Sequence, residues 1–229
     1  MVSAIIVAAG KGLRMNNAVR KQYLLLAGRP ILAHTLMVFD ASEPIDRIVM
    51  VVPEADLDFC AETVISPLTL QKEVCLVAGG PQRQDSVYNG LRALDPKTDW
   101  VVIHDGVRPL IRVEKLAECI AGARRHRACI FGLPAGDTVK KVKQTGFVET
   151  TLDRQGIWLA QTPQAFEYDL ILTAHQKARD AGYKGTDDAL LVERMGVEVK
   201  VITGSRQNIK ITTPEDLEVA QVLMQATLY

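Results

Sequence analysis

Short, mostly apolar runs rich in Val and Ile recur along the chain: SAIIVAA (3–9), RIVMVV (47–52), EVCLVA (73–78), WVVIHD (100–105) and CIFGLP (129–134). Runs of this length without a regular polar face predict strands covered on both sides. Between them, PILAHTLMVFD (30–40), RQDSVYNGLRAL (83–94) and VEKLAECIAGARR (113–125) place apolar residues at i, i+3 and i+4. That spacing belongs to helices with one buried stripe. The alternation predicts an α/β fold, with a single Rossmann-like, mainly parallel twisted sheet flanked by helices.

One segment breaks the rhythm. TVKKVKQTGFVETTLDR (138–154) is strand-like but polar, and Gln144-Thr145-Gly146 predicts a hairpin turn. A two-stranded hairpin is marginal alone in water, and this one has too few apolar residues for its own core. It reads either as an ordinary surface hairpin or as an arm packed on a second copy of the chain. GIWLAQTPQAF (156–166) follows, then a helix around 167–181 and another opened by GTDDALLVERMG (185–196). VEVKVITG (197–204) and NIKIT (208–212) predict further strand, and TPEDLEVAQVLMQ (213–225) a helix. Thr213 is its expected N-cap, with Pro214 at the first helical position and Asp216 in the first turn. With no repeat or linker, residues 1–229 read as one domain carrying a protruding arm at about 137–156.

A length of 229 residues with 48% hydrophobic content suffices for one proper core. Lys plus Arg and Asp plus Glu number 27 each, so no global field recruits nucleic acid or an anionic membrane. Cys60, Cys75, Cys119 and Cys129 sit in apolar stretches without C-x-x-C spacing, as core residues in a reducing compartment would. The apolar N-terminal run lacks a charged flank and is broken by Gly10 and Gly12, and no run is long enough to span a bilayer. A cytoplasmic location is expected.

The candidate chemistry is local. AAGKGLRM (8–15) follows the first strand, with Lys21 beyond it. Met15 stands where a dinucleotide fingerprint needs its third glycine, which disfavours hydride transfer, and the Walker spacing is absent. What remains is a strand end, Gly10 and Gly12, then Arg14 and Lys21. Either this is a generic turn with solvated cations, or exposed backbone N–H groups and the cations cradle a polyphosphate. In HDGVRP (104–109), Asp105 ends the strongest strand, where it is either a turn residue or a ligand for Mg²⁺ or another hard divalent ion. Arg108 adds an anion-directed group. GGPQRQDSV (79–87) offers glycines, Arg83 and Ser86 at a helix start. In NIKIT, alternation aims Lys210 away from Ile209 and Ile211, as a gatekeeper charge or a site residue. Thr186 reads as a helix N-cap and Asp153-Arg154 as a surface ion pair, unless they too reach a site.

Taken together, AAGKGLRM, KQYLLLAGRPIL, GGPQRQDSV, HDGVRP, DTVK, LAQTPQAF, GTDDA and NIKITTPEDL follow one another as in one family. Over nearly its full length the chain resembles the 2-C-methyl-D-erythritol 4-phosphate cytidylyltransferases of the non-mevalonate isoprenoid pathway. The resemblance implies a homodimeric nucleotidyltransferase that joins CTP to a polyol phosphate with a divalent cation, Mg²⁺ first, and releases pyrophosphate. It implies that Ala8, Ala9, Gly10, Gly12, Arg14 and Lys21 surround the triphosphate, while Gly80, Arg83 and Ser86 recognise cytosine. Asp105 and Arg108 would sit at the centre, with Asp105 touching CTP, substrate and metal. Thr138, Arg154, Thr162 and Thr186 would hold the polyol phosphate, the arm reaching into the neighbouring subunit. Arg14, Lys21, Arg154 and Lys210 would be the catalytic cations. Two departures stand out: Arg20 replaces a frequent proline, and Lys11 a small polar residue. A ribitol 5-phosphate cytidylyltransferase, or a catalytically silent nucleotide-binding module, would share many of these residues.

Overall fold

The computed structural model describes residues 1–10 and 19–227. Strand β1 (Val2–Val7) is followed by a small ladder of β2 (Leu25–Leu26) and β3 (Arg29–Pro30), then helix α1 (Ile31–Asp40). Next come β4 (Arg47–Val52), α2 (Leu57–Cys60), β5 (Val74–Ala78), α3 (Arg83–Arg92), β6 (Trp100–Asp105), α4 (Val113–His126) and β7 (Ala128–Pro134). The hairpin of β8 (Val139–Val142) and β9 (Val148–Leu152) precedes β10 (Trp158–Glu167). Helices α5 (Tyr168–Asp180) and α6 (Asp188–Glu193), strand β11 (Lys200–Thr203) and helix α7 (Pro214–Thr227) complete the order.

Among the described residues, one seven-stranded sheet runs β11-β7-β10-β6-β1-β4-β5. Every pair in it is parallel except those of β10, which runs antiparallel to both β6 and β7. Both faces are covered, as the unbroken apolar runs require. Ala4, Ile6, Ile48, Met50 and Val102 pack with residues of α1 and α4, among them Leu36 and Ile120. Ile5, Val49, Val51 and Ile103 turn the other way, toward α3 and α5. All four cysteines are free, and Cys60, Cys119 and Cys129 are buried. No described helix is long and apolar enough to cross a membrane.

Successive strands step from β1 to β4 and β5 on one side, and the chain then returns to place β6 on the other side of β1. The order therefore reverses between β1 and β6, where the carboxyl ends of an open sheet leave a crevice. In register, Val7 faces Asp105 at that end.

The arm forms as its own two-stranded ladder. Lys143 N donates to Phe147 O and Gly146 N to Lys143 O, both at 2.9 Å. Gly146 has φ +85°, the left-handed conformation that glycine takes without a Cβ clash. Val142, Phe147 and Val148 are exposed, Phe147 to 75%.

Three expectations change. NIKIT joins no ladder: Ile209 and Ile211 instead pack with Leu26, Ile31, Val107 and Leu217 in a third apolar cluster beneath α7. The N-cap of α6 is Asp187, whose carboxylate accepts from Leu190 N at 3.0 Å, one residue past Thr186. Asp153 and Arg154 do not pair with each other; Asp153 accepts from Gln155 N and Arg154 donates to Gly136 O. Thr213 does cap α7, its hydroxyl accepting from Asp216 N at 3.3 Å.

Candidate active site

A cavity of about 360 Å³ opens over the β1–β6 crevice. Val7, Ala8, Ala9 and Gly10 form one wall, Gly80 to Arg83 with Ser86 another, and Lys21, Gln22, Asp105, Val107 and Lys210 also line it. Gln22 is buried beneath it and fixes the first wall by donating from Nε2 to Ala8 O at 2.8 Å. Among the described residues, apart from its chain neighbours, Gly10 has no heavy atom within 4 Å of where a Cβ would stand, and its φ lies outside the left-handed region. Neither packing nor backbone strain in the described structure calls for glycine there. The open space fits the close approach of a ligand.

Gly80 is different. A Cβ there would fall 2.4 Å from the Cβ of Asp85, so the turn closes onto α3 only without a side chain. Ser86 then locks it: its hydroxyl accepts from Gly80 N at 3.1 Å and donates to Gln82 O at 3.0 Å. Since a hydroxyl has one proton, Ser86 in this state can offer a ligand only its remaining lone pair.

Asp105 is the electrostatic centre. Its Oδ1 receives Arg83 Nε at 3.1 Å, while Oδ2 faces Lys210 Nζ at 2.8 Å and Arg108 Nε at 3.7 Å. Burial alone would raise its pKa, but the attraction of Arg83, Lys210 and Arg108 overcomes this and holds it well below the ordinary carboxylate range. Arg108 is pulled the other way, since its burial lowers the guanidinium pKa against the opposing pull of Asp105. Neighbouring His104 is buried, which pushes it down to about 4 and keeps it neutral; its Nε2 faces Arg108 O at 3.1 Å.

Backbone pins place the distant Lys210 here. Gln161 donates from Nε2 to Ser205 O at 3.0 Å, and Asn208 from Nδ2 to Thr162 O at 2.8 Å. Arg108 Nη1 donates to Asn208 O at 2.7 Å, and Ile211 N to Val107 O at 2.9 Å. With Ile209 and Ile211 drawn into the apolar cluster under α7, Lys210 is left pointing at Asp105. Alternating side chains thus send the isoleucines and Lys210 opposite ways without a strand.

Ala8, Ala9, Gly10, Lys21, Gly80, Arg83, Ser86, Asp105 and Lys210 all line the cavity, and Arg108 touches Asp105 from beside it. Gly12 and Arg14 lie outside the described residues, as do Lys11 and Met15. Thr162 is buried behind the wall, its Oγ1 accepting from Asp105 N at 3.1 Å, so it supports the carboxylate from the rear. Thr138, Arg154 and Thr186 are exposed and do not line this chain's cavity. Gln22, Gln161 and Asn208 escaped the sequence reading; a polar residue flanked by ordinary loop or strand neighbours gives no sign that it is buried.

No group of three or more His, Cys, Asp or Glu side chains among the described residues is placed to hold a metal. Among the described residues, Asp105 is the one carboxylate on the cavity wall. A single carboxylate fits Mg²⁺ carried mainly by a ligand's own phosphates.

A mainly parallel sheet with a glycine-walled, cation-lined cavity at its strand-order reversal defines an α/β protein that handles phosphorylated nucleotides. Comparison with known proteins narrows this. The sequence model of the 2-C-methyl-D-erythritol 4-phosphate cytidylyltransferases matches residues 2–226. Relatives bearing that name include one from Pelotomaculum thermopropionicum, 47% identical over 98% of this chain and 94% of its own. Another, from Syntrophus aciditrophicus, is 48% identical over 98% and 96%. Among solved structures, the 4-diphosphocytidyl-2C-methyl-D-erythritol synthase of Anaerococcus prevotii superimposes with a TM-score of 0.86 at 36% identity, covering 98% of this chain and 96% of that one. The 2-C-methyl-D-erythritol 4-phosphate cytidylyltransferase of Thermus thermophilus gives a TM-score of 0.80 at 29% identity, covering 98% and 100%. The chain belongs to the 2-C-methyl-D-erythritol 4-phosphate cytidylyltransferase family and is a nucleotidyltransferase.

Proposed function

We propose that the protein transfers the cytidylyl group of CTP to 2-C-methyl-D-erythritol 4-phosphate, releasing pyrophosphate. The observation that carries the reading is the convergence of Lys21, Arg83, Arg108 and Lys210 on one crevice around Asp105. An oxygen of the polyol phosphate attacks the α-phosphorus of CTP; the bond from that phosphorus to the bridging oxygen breaks and pyrophosphate leaves. The attacking group is already an anion near neutral pH, so no general base is needed. Catalysis is positioning plus charge stabilisation.

Within this reading, Ala8, Ala9 and Gly10 with Gly12 give the triphosphate close access to backbone. Lys21 and Arg14 offset charge on the attacked phosphorus and leaving group. Gly80, Arg83 and Ser86 shape the wall for the base. Lys210 and Arg154 align the attacking phosphate, with Arg108, Thr138 and Thr186 on the polyol side and Thr162 holding Asp105 from behind. A hard divalent cation would be held by the nucleotide's phosphates and Asp105, supplying further neutralisation of phosphate charge.

The arm belongs to this proposal. Thr138 and Arg154 sit at its base, away from their own chain's cavity, and its apolar side chains face solvent. A homodimer in which each arm covers the partner and completes its polyol site accounts for both facts. A cytoplasmic location, with access to CTP, suits this reaction.

Pyrophosphate release from CTP with Mg²⁺, measured separately with methylerythritol phosphate and ribitol 5-phosphate, tests the assignment. Turnover with the first and little with the second is expected. Faster turnover with ribitol phosphate, or none with either, would overturn it.

A further inference from the structure

Behind the cavity wall lies a polar relay that the reaction scheme leaves unused. Arg83 Nη1 donates to Asp188 Oδ2 at 2.8 Å, and the other oxygen of Asp188 meets His175 Nε2 at 3.1 Å. Asp188 is 1% exposed and His175 fully buried. They come from different elements, Arg83 opening α3, His175 within α5 and Asp188 opening α6. The relay is itself held. Gln164 of β10 donates to Asp187 Oδ2 at 2.8 Å and accepts from Ala189 N at 3.2 Å. The ring of Tyr88 lies nearly parallel to that of His175, at 21° and 6.5 Å.

Burial would lower the Arg83 pKa, but Asp188 and Asp105 together keep it raised and the guanidinium charged. Burial would raise Asp188, and the pull of Arg83 with the His175 hydrogen bond keeps it low. His175 Nδ1 has no partner among the described residues, and Nε2, facing a carboxylate oxygen that can only accept, carries the proton of this contact. Nε of Arg83 is given to Asp105 and Nη1 to Asp188. Nη2 is buried without a partner among the described residues, while other atoms of the side chain line the cavity.

We propose that Asp188, oriented by His175, is a positioning residue for nucleotide binding: it pins the Arg83 guanidinium in the cavity wall, so that the wall is already shaped and charged when the ligand arrives. A long side chain anchored at two nitrogens loses its rotamer freedom in folding and does not lose it again on binding. Asp188 also moderates the field. Arg83, Arg108 and Lys210 would face Asp105 alone without it, and Arg83 would settle on Asp105 in competition with Lys210. Asp188 touches no reacting atom, so its effect is on CTP affinity and not on the chemical step.

This inference rests on the CTP reading, and titration calorimetry with CTP and Mg²⁺ separates the two. Wild-type protein that fails to bind CTP overturns the nucleotide reading and this one with it. Wild-type binding together with a 10- to 100-fold weaker Kd and higher KM for CTP in Asp188→Asn, at kcat changed by less than about threefold, is the expected result. The KM for the polyol phosphate should stay unchanged, and Asp188→Glu should recover part of the affinity. A folded Asp188→Asn protein that binds CTP as wild type does, or that loses kcat and KM for both substrates alike, overturns the positioning role alone. If Asp188→Asn does not fold, His175→Gln decides: a selective rise in KM for CTP supports the relay, and unchanged kinetics refute it.

Discussion

The charge at Asp105 can be removed without changing the side chain's shape, and Asp105→Asn is the sharpest probe of the cavity. In the wild type one buried carboxylate faces three cations at 2.8, 3.1 and 3.7 Å. At the effective dielectric of partly buried sites, a unit pair 4 Å apart attracts by about 4 kcal/mol, so the three pairs sum to about 12 kcal/mol gross. Desolvation of the carboxylate and mutual repulsion of the cations cancel most of that. Losing one partner of a buried pair typically costs about 3–5 kcal/mol. Asparagine keeps one acceptor, which favours the lower end, about 3 kcal/mol. Urea unfolding of the ligand-free protein at pH 7 measures this. Because the folded pKa of Asp105 is depressed, its contribution is present above the unfolded value of about 3.9 and is lost only as pH falls through the folded one. The gap between wild type and variant should therefore hold from pH 8 down to pH 5. A variant within about 0.5 kcal/mol of wild type, or a gap that closes near pH 6, would refute the picture of Asp105 as the hub.

Other consequences are open to direct measurement. Lys210→Ala should lower kcat/KM about 10²- to 10³-fold while leaving the fold intact, since one preorganised charge at a transition state contributes about 3–4 kcal/mol; near-normal turnover would remove Lys210 from the chemistry. Gly80→Ala should destabilise by about 1–3 kcal/mol and weaken CTP binding, because its Cβ would stand 2.4 Å from that of Asp85; thermal melting and CTP titration report both. His104 is held at about 4 against an ordinary 6.5, so the unfolded chain binds the extra proton between those values. Stability should fall by up to about 3 kcal/mol as pH drops through that window, and His104→Gln should flatten the slope in urea titrations. On the proposed arm-mediated homodimer, Phe147→Asp should shift the protein toward monomer in analytical ultracentrifugation and lower activity at nanomolar protein; an unchanged mass would remove the arm from assembly.

The strands and helices that bury whole faces were legible because burial writes itself as apolar periodicity. β4 and β6 occupy the expected residues, 47–52 and 100–105. β10 was not announced, because Gln161, Thr162, Pro163 and Gln164 interrupt its apolar run, and the register with β7 shifts at that place. Those polar residues are buried and hydrogen-bonded, two of them to the segment that leads to Lys210. NIKIT misled for the converse reason: two isoleucines at alternate positions suit a strand, but here they fill a cluster under a helix. In the site, the glycines, Asp105 and Lys210 carry local signals of turn, strand end and alternation. Asp188 and His175 carry none, since an acid at a helix start and a histidine on a helix are commonplace; their meaning lies in contacts across 105 and 13 residues.

The third apolar cluster has an outcome for biogenesis. It fastens Ile211 to Val107 and to Leu26 and Ile31, so the wall bearing Lys210 is set by residues made about two hundred positions after the first. A nascent chain halted on the ribosome before that stretch emerges would own the glycine turn and Asp105 and yet lack the lysine proposed to act on the phosphates. On the proposed role of Lys210, turnover would wait for that tail to dock.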